Sequence, residues 1–339
     1  MAPRIEAAIA DVTPGVVLRA FSGGALVCDL RVGDTRPYYD LASLTKIVFT
    51  QQALMQAFDA GRWALDTTVG DLLPDFTHPQ TRLSELLTHT SGIEWWMPFY
   101  ESVDMDLPWL DRRRWLYAQL QGAPCNKTGR AVYSDLGFML LGFVLEAMHR
   151  KNLLQVWQDL KARTYAGSSL DFHVDNQPVR AREQYAATEL CPWRRKRLQG
   201  EVHDDNTWSL GGVSTHAGLF GSIDDLAGYG LQLRAQLLGL PGALVRSNTA
   251  QQFARRAIPV EAGEWALGFM LPSPQAASCG RYFSPRSIGH TGFTGTSLWF
   301  DPERDLLVTI LSNRVYGGRE NKAFLALRPQ LHDWVVESL

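Results

Sequence analysis

Two short stretches near the start of the chain have the composition of strands. Residues 15–21 and 25–31 flank Ser22-Gly23-Gly24, an arrangement that predicts a β-hairpin. Near the other end, four more stretches have the composition of strands and are separated by turn residues. They cover residues 265–270, 287–290, 296–300 and 306–312. The final residues, 321–339, have the periodicity of an amphipathic helix.

The segment between these ends has the periodicity of helices. Four helices are predicted from their capping residues: one from Pro108 to about Gly122, one after Ser134, one after Asn152, and one from Ser222 to about Gly239. The chain is therefore predicted to be an α/β (α+β) protein. A central antiparallel sheet is built from both termini and flanked by helices, and an all-α region is inserted. The predicted boundaries are 1–60 and 262–339 for the sheet region and 61–261 for the helical insertion.

A serine and a lysine lie three residues apart at the predicted start of a buried helix. Ser43 and Lys46 would share one helical face, so the lysine amine can reach the serine oxygen. Apolar residues follow at helical spacing until Gly61. Asp40 is a natural N-cap, and we expect it to bind the N–H of Ala42, which leaves the N–H of Ser43 free. A serine hydroxyl needs a base to become a nucleophile, and a neutral lysine can be that base.

Two more short segments carry chemistry. Tyr133-Ser134-Asp135 places a phenol and a carboxylate at a predicted helix start, and His290-Thr291-Gly292 lies on a predicted strand. Each motif has a plain structural explanation when taken alone. An S-x-x-K sequence occurs by chance, Lys46 could be a helix-surface lysine, and Tyr133 could be a buried aromatic at a helix end.

In this order and spacing, the three motifs resemble those of the serine β-lactamase and penicillin-binding-protein superfamily, on its class C and esterase side. S-x-x-K matches Ser43 and Lys46, Y-x-N matches Tyr133 with Asp135 in place of Asn, and K-T-G matches His290, Thr291 and Gly292. The stretch from Leu86 to Gly92 is also typical of these proteins. The resemblance covers nearly the whole chain.

The resemblance implies a mechanism for this chain. Ser43 would attack a carbonyl group and form an acyl-enzyme, with Lys46 as its base. Tyr133 would relay a proton to the leaving group. The backbone N–H groups of Ser43 and Phe293 would form the oxyanion hole, and Asp135, His290, Thr291 and Gly292 would bind substrate. The family mechanism requires no metal or other cofactor.

Two residues depart from the family pattern. His290 replaces the usual lysine and, as an ordinary histidine, would titrate near pH ~6.5 and be mostly neutral at pH 7. An activity that needs the neutral ring should then rise through that range. Asp135 replaces an amide with a carboxylate, which adds negative charge and could favour a charged Lys46. Both changes argue against efficient β-lactam hydrolysis.

A second signature lies in residues 189–220 and includes Glu189, Cys191, His203, Asp204 and His216. It resembles a subset of these hydrolases that includes secreted N-acetylmuramoyl-L-alanine amidases. His203, Asp204 and His216 also suggest a zinc site, but their spacing fits no familiar zinc motif. The alternative is a structured loop over the site in which His203 and Asp204 form a hydrogen-bonded pair. His89 is interpreted as a structural loop histidine.

Composition limits the classes of partner. The chain has 339 residues, 45% hydrophobic and 20% charged, which is typical of a globular protein with a large core. A net charge of −2 gives no reason to expect nucleic acid as a partner. No apolar run is long enough to span a membrane. The N-terminus lacks a secretory pattern, so the sequence as written predicts a cytoplasmic protein, and a periplasmic or secreted one if the chain is truncated.

Three functions follow as hypotheses. The leading one is a serine hydrolase that cleaves an amide or ester through Ser43, with a peptidoglycan-derived muropeptide or other small molecule as substrate. The second is a broad esterase or weak β-lactamase. The third is a non-catalytic protein that binds cell-wall fragments on the same fold. The oligomeric state stays open.

Overall fold

The computed structural model describes residues 1–339, and its central element is a five-stranded antiparallel sheet. Its strands come from both ends of the chain: β1 (Gly15–Ser22), β2 (Ala25–Gly33), β8 (Ile288–Thr291), β9 (Ser297–Asp301) and β10 (Leu306–Ser312). Their order is β2-β1-β10-β9-β8, so the N-terminal hairpin pairs with the last strand. The predicted α/β fold, with a sheet built from both termini, is confirmed.

Both faces of this sheet are covered by helices. On one face lie the helices of the two termini, α1 (Ala2–Ile9) and α10 (Ala323–Glu337). Alternate residues of β1 divide between the two faces, since Val16 and Leu18 pack towards α1 and α10 while Val17 joins the larger core on the other face. Every residue of β10 is buried. The alternation that predicts a strand therefore also separates two cores.

The region between β2 and β8 is mainly helical. Its α-helices are α2 (Gln52–Asp59), α3 (Leu83–Leu87), α4 (Trp109–Gln121), α5 (Asp135–His149), α6 (Leu153–Thr164), α7 (Asp205–Ser209), α8 (Ile223–Leu238) and α9 (Ser247–Ala254). The predicted caps are present, because the side chains of Ser134, Asn152 and Ser222 each accept the N–H of the residue three positions on.

This region also contains short strands that the sequence pattern did not predict. They are β3 (Tyr39–Asp40), β4 (Asp171–Phe172), β5 (Leu190–Cys191), β6 (Lys196–Arg197) and β7 (Leu219–Gly221). Strand β7 lies between β3 and β4, and β5 pairs with β6. The two-residue strands are too short to show a period in sequence. The pairing of β3 with β7 matters for function because it fixes the backbone just before Ser43.

Two predicted elements differ in the structure. The single helix expected from Ser43 is a 3₁₀ turn (Ala42–Leu44), then a π-helical segment (Lys46–Gln51), then α2. The strand expected at 265–270 is wrong. This segment folds back on itself at Gly268, with Ala266 N bonded to Phe269 O, and only Met270 pairs with β8. Its apolar residues are buried by a turn and not by a strand.

None of the helices combines the length and the apolar character that crossing a lipid bilayer requires.

Helix α8 packs on the sheet through a glycine, which gives a paired test of the fold. A Cβ at Gly230 would lie 2.6 Å from a methyl carbon of the buried Leu307, whereas nothing lies within 4 Å of a Cβ at Gly228 on the exposed side. We expect Gly230→Ala to lower the free energy of unfolding by about 1–3 kcal/mol through overpacking. Gly228→Ala should raise it by about 0.5–1 kcal/mol through helix propensity. Urea unfolding of both variants measures this, and equal effects would contradict the packing described for α8.

Candidate active site

The backbone places Ser43 in a strained turn. Ala42, directly before it, has a positive φ of 47°, a conformation that non-glycine residues rarely adopt. The Asp40 carboxylate holds this turn, since its Oδ1 accepts the Ala42 N–H at 2.8 Å and its Oδ2 accepts the His203 N–H at 2.7 Å. Burial raises the pKa of Asp40, and the two N–H groups act against that rise. The N–H used by the cap is that of Ala42, as the sequence predicted.

Lys46 is fully buried and makes three hydrogen bonds. Its Nζ lies 3.2 Å from Ser43 Oγ, 2.6 Å from Asp135 Oδ1 and 3.1 Å from the carbonyl oxygen of His216. Burial by itself disfavours the ammonium, but the Asp135 carboxylate and then Tyr133 more than offset it, so the pKa of Lys46 is raised. Lys46 is therefore not a surface lysine. In the resting site it is a cation whose three N–H donors are all used.

Tyr133 lies beside this ion pair. The Lys46 Nζ is 4.7 Å from the centre of the Tyr133 ring, and the ring also stacks on Trp265. Its side chain still reaches the surface, being 37% exposed. Burial of the phenol raises the pKa of Tyr133, and the Lys46 cation acts in the opposite direction. Tyr133 is thus a protonated phenol at the mouth of the cleft, next to Ser43 and Lys46.

His290 contributes a neutral ring. Its Nδ1 donates to the carbonyl oxygen of Thr291 at 2.8 Å, which leaves Nε2 as a buried acceptor without a partner. Burial, and then the Lys46 cation, lower the pKa of His290 to about 3. The expectation that His290 titrates near neutral pH is therefore wrong, because the ring is shielded from water and lies near a positive charge.

Gly292 allows β8 to approach the nucleophile turn. A Cβ at this position would lie 2.0 Å from Thr296 Oγ1 and 2.6 Å from the carbonyl oxygen of Leu41. The glycine thus serves the contact between β8 and the chain before Ser43.

Two backbone N–H groups are free to bind an oxyanion. Neither Ser43 N nor Phe293 N donates to an acceptor in the protein. The carbonyl groups on either side of Phe293 N are held by arginines: Arg328 Nη2 donates to Gly292 O at 3.1 Å, and Arg314 Nε donates to Phe293 O at 2.6 Å. The sequence gives no signal for these two arginines, because they come from a distant turn and from α10.

The loop that carries the second signature is built on ion pairs. Glu189 pairs with Arg319 and lies 3.3 Å from His203 Nε2, and its contacts with these two side chains lower the pKa of Glu189 to about 2 against the effect of burial. Arg194 and Arg319 both pair with Asp205. The His203 ring stacks on Phe293 at 5.4 Å, which places this loop beside β8.

The three residues considered for zinc do not form a metal site. Asp204 accepts from the Thr207 N–H and lies 3.1 Å from His216 Nε2, whereas His203 faces Glu189. No three His, Cys, Asp or Glu side chains are grouped as metal ligands. The proposed pairing of His203 with Asp204 is also wrong, since each of them has a different partner. His216 instead contributes its carbonyl oxygen to Lys46.

His89 packs against Tyr133 and binds the backbone of Ser134. Its Nδ1 accepts the Ser134 N–H at 3.0 Å, and its ring centre lies 4.6 Å from that of Tyr133 and 4.3 Å from that of Trp265. Burial, and then the charge of Lys46, lower the pKa of His89. A neutral, buried histidine that holds the first turn of α5 agrees with the structural role predicted for it.

A row of aromatic side chains begins beside the Tyr133 segment. It starts at Trp95, whose carbonyl oxygen accepts the Asp135 N–H, and Trp95 is 51% exposed. Successive ring contacts of 4.9–6.4 Å join Trp95, Trp96, Tyr100, Trp193 and Trp208. The row links the Tyr133 segment to the loop of residues 189–208.

Curated proteins of similar sequence match this chain over nearly its whole length. The "Putative D-alanyl-D-alanine carboxypeptidase" of Salmonella agona (strain SL483) is 26% identical over 366 residues, covering 95% of this chain and 81% of the relative. The protein of the same name from Salmonella gallinarum is 27% identical with the same coverage.

Solved structures show the same fold at lower identity. EstCE1, described as a hydrolase with promiscuous acyltransferase activity, has a TM-score of 0.72 at 18% identity and covers 98% of this chain and 97% of its own. The class C β-lactamase of Rhodobacter sphaeroides has a TM-score of 0.67 at 18% identity, with 98% and 99% coverage. The penicillin-binding protein of Bacillus halodurans has a TM-score of 0.70 at 18% identity, with 98% and 100% coverage. The Beta-lactamase family model matches residues 3–330, so this chain belongs to the β-lactamase family and is a hydrolase of the serine β-lactamase and penicillin-binding-protein type.

Proposed function

We propose that this protein forms an acyl-enzyme through Ser43 and hydrolyses an amide bond of a peptidoglycan-derived fragment. The observation that carries the proposal is the set around Ser43 Oγ: Lys46 Nζ at 3.2 Å, and the free N–H groups of Ser43 and Phe293. Attack by Ser43 needs a base, and the tetrahedral intermediate needs two donors for its oxyanion. Residues that meet both requirements come from neighbouring segments, since a Cβ at Gly292 would lie 3.4 Å from the Cβ of Ala42.

The protonation states of Lys46, Asp135 and Tyr133 suggest which residue carries out each proton transfer. In the resting site Lys46 is charged and donates to Ser43 Oγ, so it must lose a proton before it can accept the one from Ser43. Asp135 is bonded directly to the ammonium and its side chain is 21% exposed, so it is the group through which that proton can leave. Tyr133, with a protonated phenol at the cleft mouth, is placed to give a proton to the leaving group.

Three features support a cell-wall fragment as substrate. The relatives from Salmonella carry names that refer to D-alanyl-D-alanine, a peptidoglycan dipeptide. The signature in residues 189–220 resembles that of muramoyl-L-alanine amidases. The aromatic row from Trp95 to Trp208 offers flat, amphipathic surfaces to a large polar ligand such as a sugar.

A carboxypeptidase that requires a free terminal carboxylate is a second candidate, since the relatives' names favour it. It is less well supported by the site, because His290 is neutral and provides no charge for that carboxylate. A neutral group at this position suits an internal amide or an ester.

Labelling and a substrate panel test the proposal. A fluorophosphonate should add one adduct to the intact protein, and Ser43→Ala should abolish both the adduct and turnover. Muramoyl-L-alanine compounds should be hydrolysed faster than D-alanyl-D-alanine peptides, p-nitrophenyl esters or a chromogenic cephalosporin. No adduct with any probe would favour a non-catalytic binder, and ester hydrolysis alone would favour the esterase.

The ion pair predicts a shift in the pH profile of the Asp135→Asn variant. Removing the carboxylate removes the charge that raises the pKa of Lys46, so the neutral amine should appear at lower pH. We expect the acid limb of Ser43 labelling to move down by at least about 1 pH unit. Asp159→Asn is the matched control, since it breaks the Lys151–Asp159 pair on the surface and should leave the limb in place. An unmoved limb in Asp135→Asn would exclude Lys46 as the base.

The low pKa of His290 predicts that replacing this residue leaves the shape of the pH profile unchanged. Because the pKa of His290 is lowered to about 3, its ring stays neutral throughout the range from pH 5 to 8. His290→Gln should therefore change the rate of hydrolysis without moving any limb of its pH profile in that range. If a limb near pH ~6.5 disappears in the variant, the ring titrates as an ordinary histidine and the burial argument fails.

A further inference from the structure

The peptide bond between Gly292 and Phe293 is bound at one end and free at the other. Its N–H, that of Phe293, has no acceptor in the protein. Its carbonyl oxygen, that of Gly292, accepts two hydrogen bonds of 3.1 Å, one from Arg328 Nη2 and one from the Gly295 N–H, and only the arginine brings a charge. The Arg328 guanidinium and the free Phe293 N–H therefore lie at opposite ends of the dipole of the Gly292–Phe293 peptide.

Arg328 is unusual for a buried cation. It is only 5% exposed, no carboxylate pairs with it, and its Nε has no hydrogen-bond partner. It comes from α10, on the sheet face opposite the core that holds Lys46. Burial of an unpaired cation costs free energy. A site that keeps such a group beside one carbonyl suggests a use for the charge.

A second arginine acts on the next peptide. Arg314 is 3% exposed, donates through Nε to Phe293 O at 2.6 Å, and lies 4.5 Å above the Phe293 ring. Burial, and then the charge of Arg314, lower the pKa of Arg328 to about 9, which leaves both groups cationic at neutral pH. Arg314 and Arg328 thus place two positive charges next to the backbone that follows β8, whereas His290, on β8 itself, is neutral.

We propose that Arg328 is a positioning residue that orients and polarises the Gly292–Phe293 peptide so that the Phe293 N–H becomes a stronger oxyanion donor. A hydrogen bond to a carbonyl oxygen draws electron density from the amide and strengthens the hydrogen bond made by its N–H. The cation also lowers the energy of negative charge that develops on the other side of the peptide. The proposal rests on the oxyanion role given to Phe293 N under the proposed function.

The test compares an ester with its thiono analogue, in which sulfur replaces the carbonyl oxygen. Sulfur is the weaker hydrogen-bond acceptor, so the rate ratio between the two substrates reports the strength of the oxyanion donors. In Arg328→Met we expect kcat for the ester to fall about 10- to 100-fold, less than or similar to the loss of a whole donor, with KM nearly unchanged. The thiono substrate should lose less, so the ratio should shrink. A parallel fall with both substrates would assign Arg328 to structure alone and overturn the proposal.

Arg281→Met is the matched control, since the exposed Arg281 side chain pairs with Asp333 and Glu337 of α10 but not with β8. It should retain the wild-type ratio. If Arg328→Met fails to fold, Arg328→Gln replaces it, because glutamine keeps an N–H donor but no charge. Its ratio should lie below that of the wild type, and a wild-type ratio would overturn the role of the charge.

The amide resonance of Phe293 separates this proposal from the proposed function. Polarisation should place its N–H proton downfield in the wild type relative to Arg328→Met, and the Arg281→Met protein should match the wild type. This measurement needs no turnover. An unchanged resonance would overturn the polarisation even in an active enzyme, whereas a shifted resonance with no labelling of Ser43 would overturn the proposed function alone.

Discussion

The buried ammonium of Lys46 is the constraint on which the rest of the site depends. Removing an ammonium from water costs several kcal/mol unless its donors are matched and a negative charge is near. The acceptors come from three places: the nucleophile turn, the first residue of α5, and the loop before β7. These three segments are far apart in sequence, and they cannot move independently while the cation stays buried. The geometry of the cleft is therefore a condition for keeping Lys46 out of water.

The distribution of charge around the cleft follows from this cation. Asp135 lies on one side of it, and on the β8 side the His290 ring is neutral, in part because Lys46 is near. Positive charge behind β8 is supplied by Arg314 and Arg328, whose guanidinium groups bind backbone carbonyls instead of solvent or substrate. The site thus holds its charges on buried or partly buried groups, and its outer surface offers aromatic rings.

Much of the architecture could be predicted from local patterns. Strand-like stretches bounded by turn residues located the N-terminal hairpin and the strands that became β8, β9 and β10, and side-chain caps located the starts of α5, α6 and α8. The turn at 265–270 was mistaken for a strand because a short buried run looks the same in either conformation. The π-helical segment at Lys46 had no local signal, since apolar spacing over one turn does not distinguish it from an α-helix.

The identity of the site residues could be predicted where a single motif contains them. Properties that depend on contacts between distant segments could not. The proximity of Ser43, Lys46, Tyr133 and His290 agrees with their motif spacing. The pKa of His290 depends on complete burial near Lys46, and the pairing of Asp204 with His216 depends on where a loop returns. The contacts of Arg314 and Arg328 with the backbone around Phe293 depend on how the turn after β10 and helix α10 pack against the end of β8. These are consequences of tertiary structure, and residue identity alone does not contain them.

The left-handed conformation of Ala42 has a mechanical consequence. A residue with a Cβ holds this conformation at a cost of about 1–2 kcal/mol, so neighbouring contacts must enforce it. One such contact is made by the Asp40 carboxylate, which accepts the Ala42 N–H with one oxygen and the His203 backbone N–H with the other. If the segment around His203 is displaced, the Asp40 carboxylate loses one of its two backbone donors and restrains the Ala42 torsion less firmly. A movement of the chain near His203, some 160 residues from Ser43, would then change the orientation of the Ser43 hydroxyl, whether or not the residues near His203 contact the ligand.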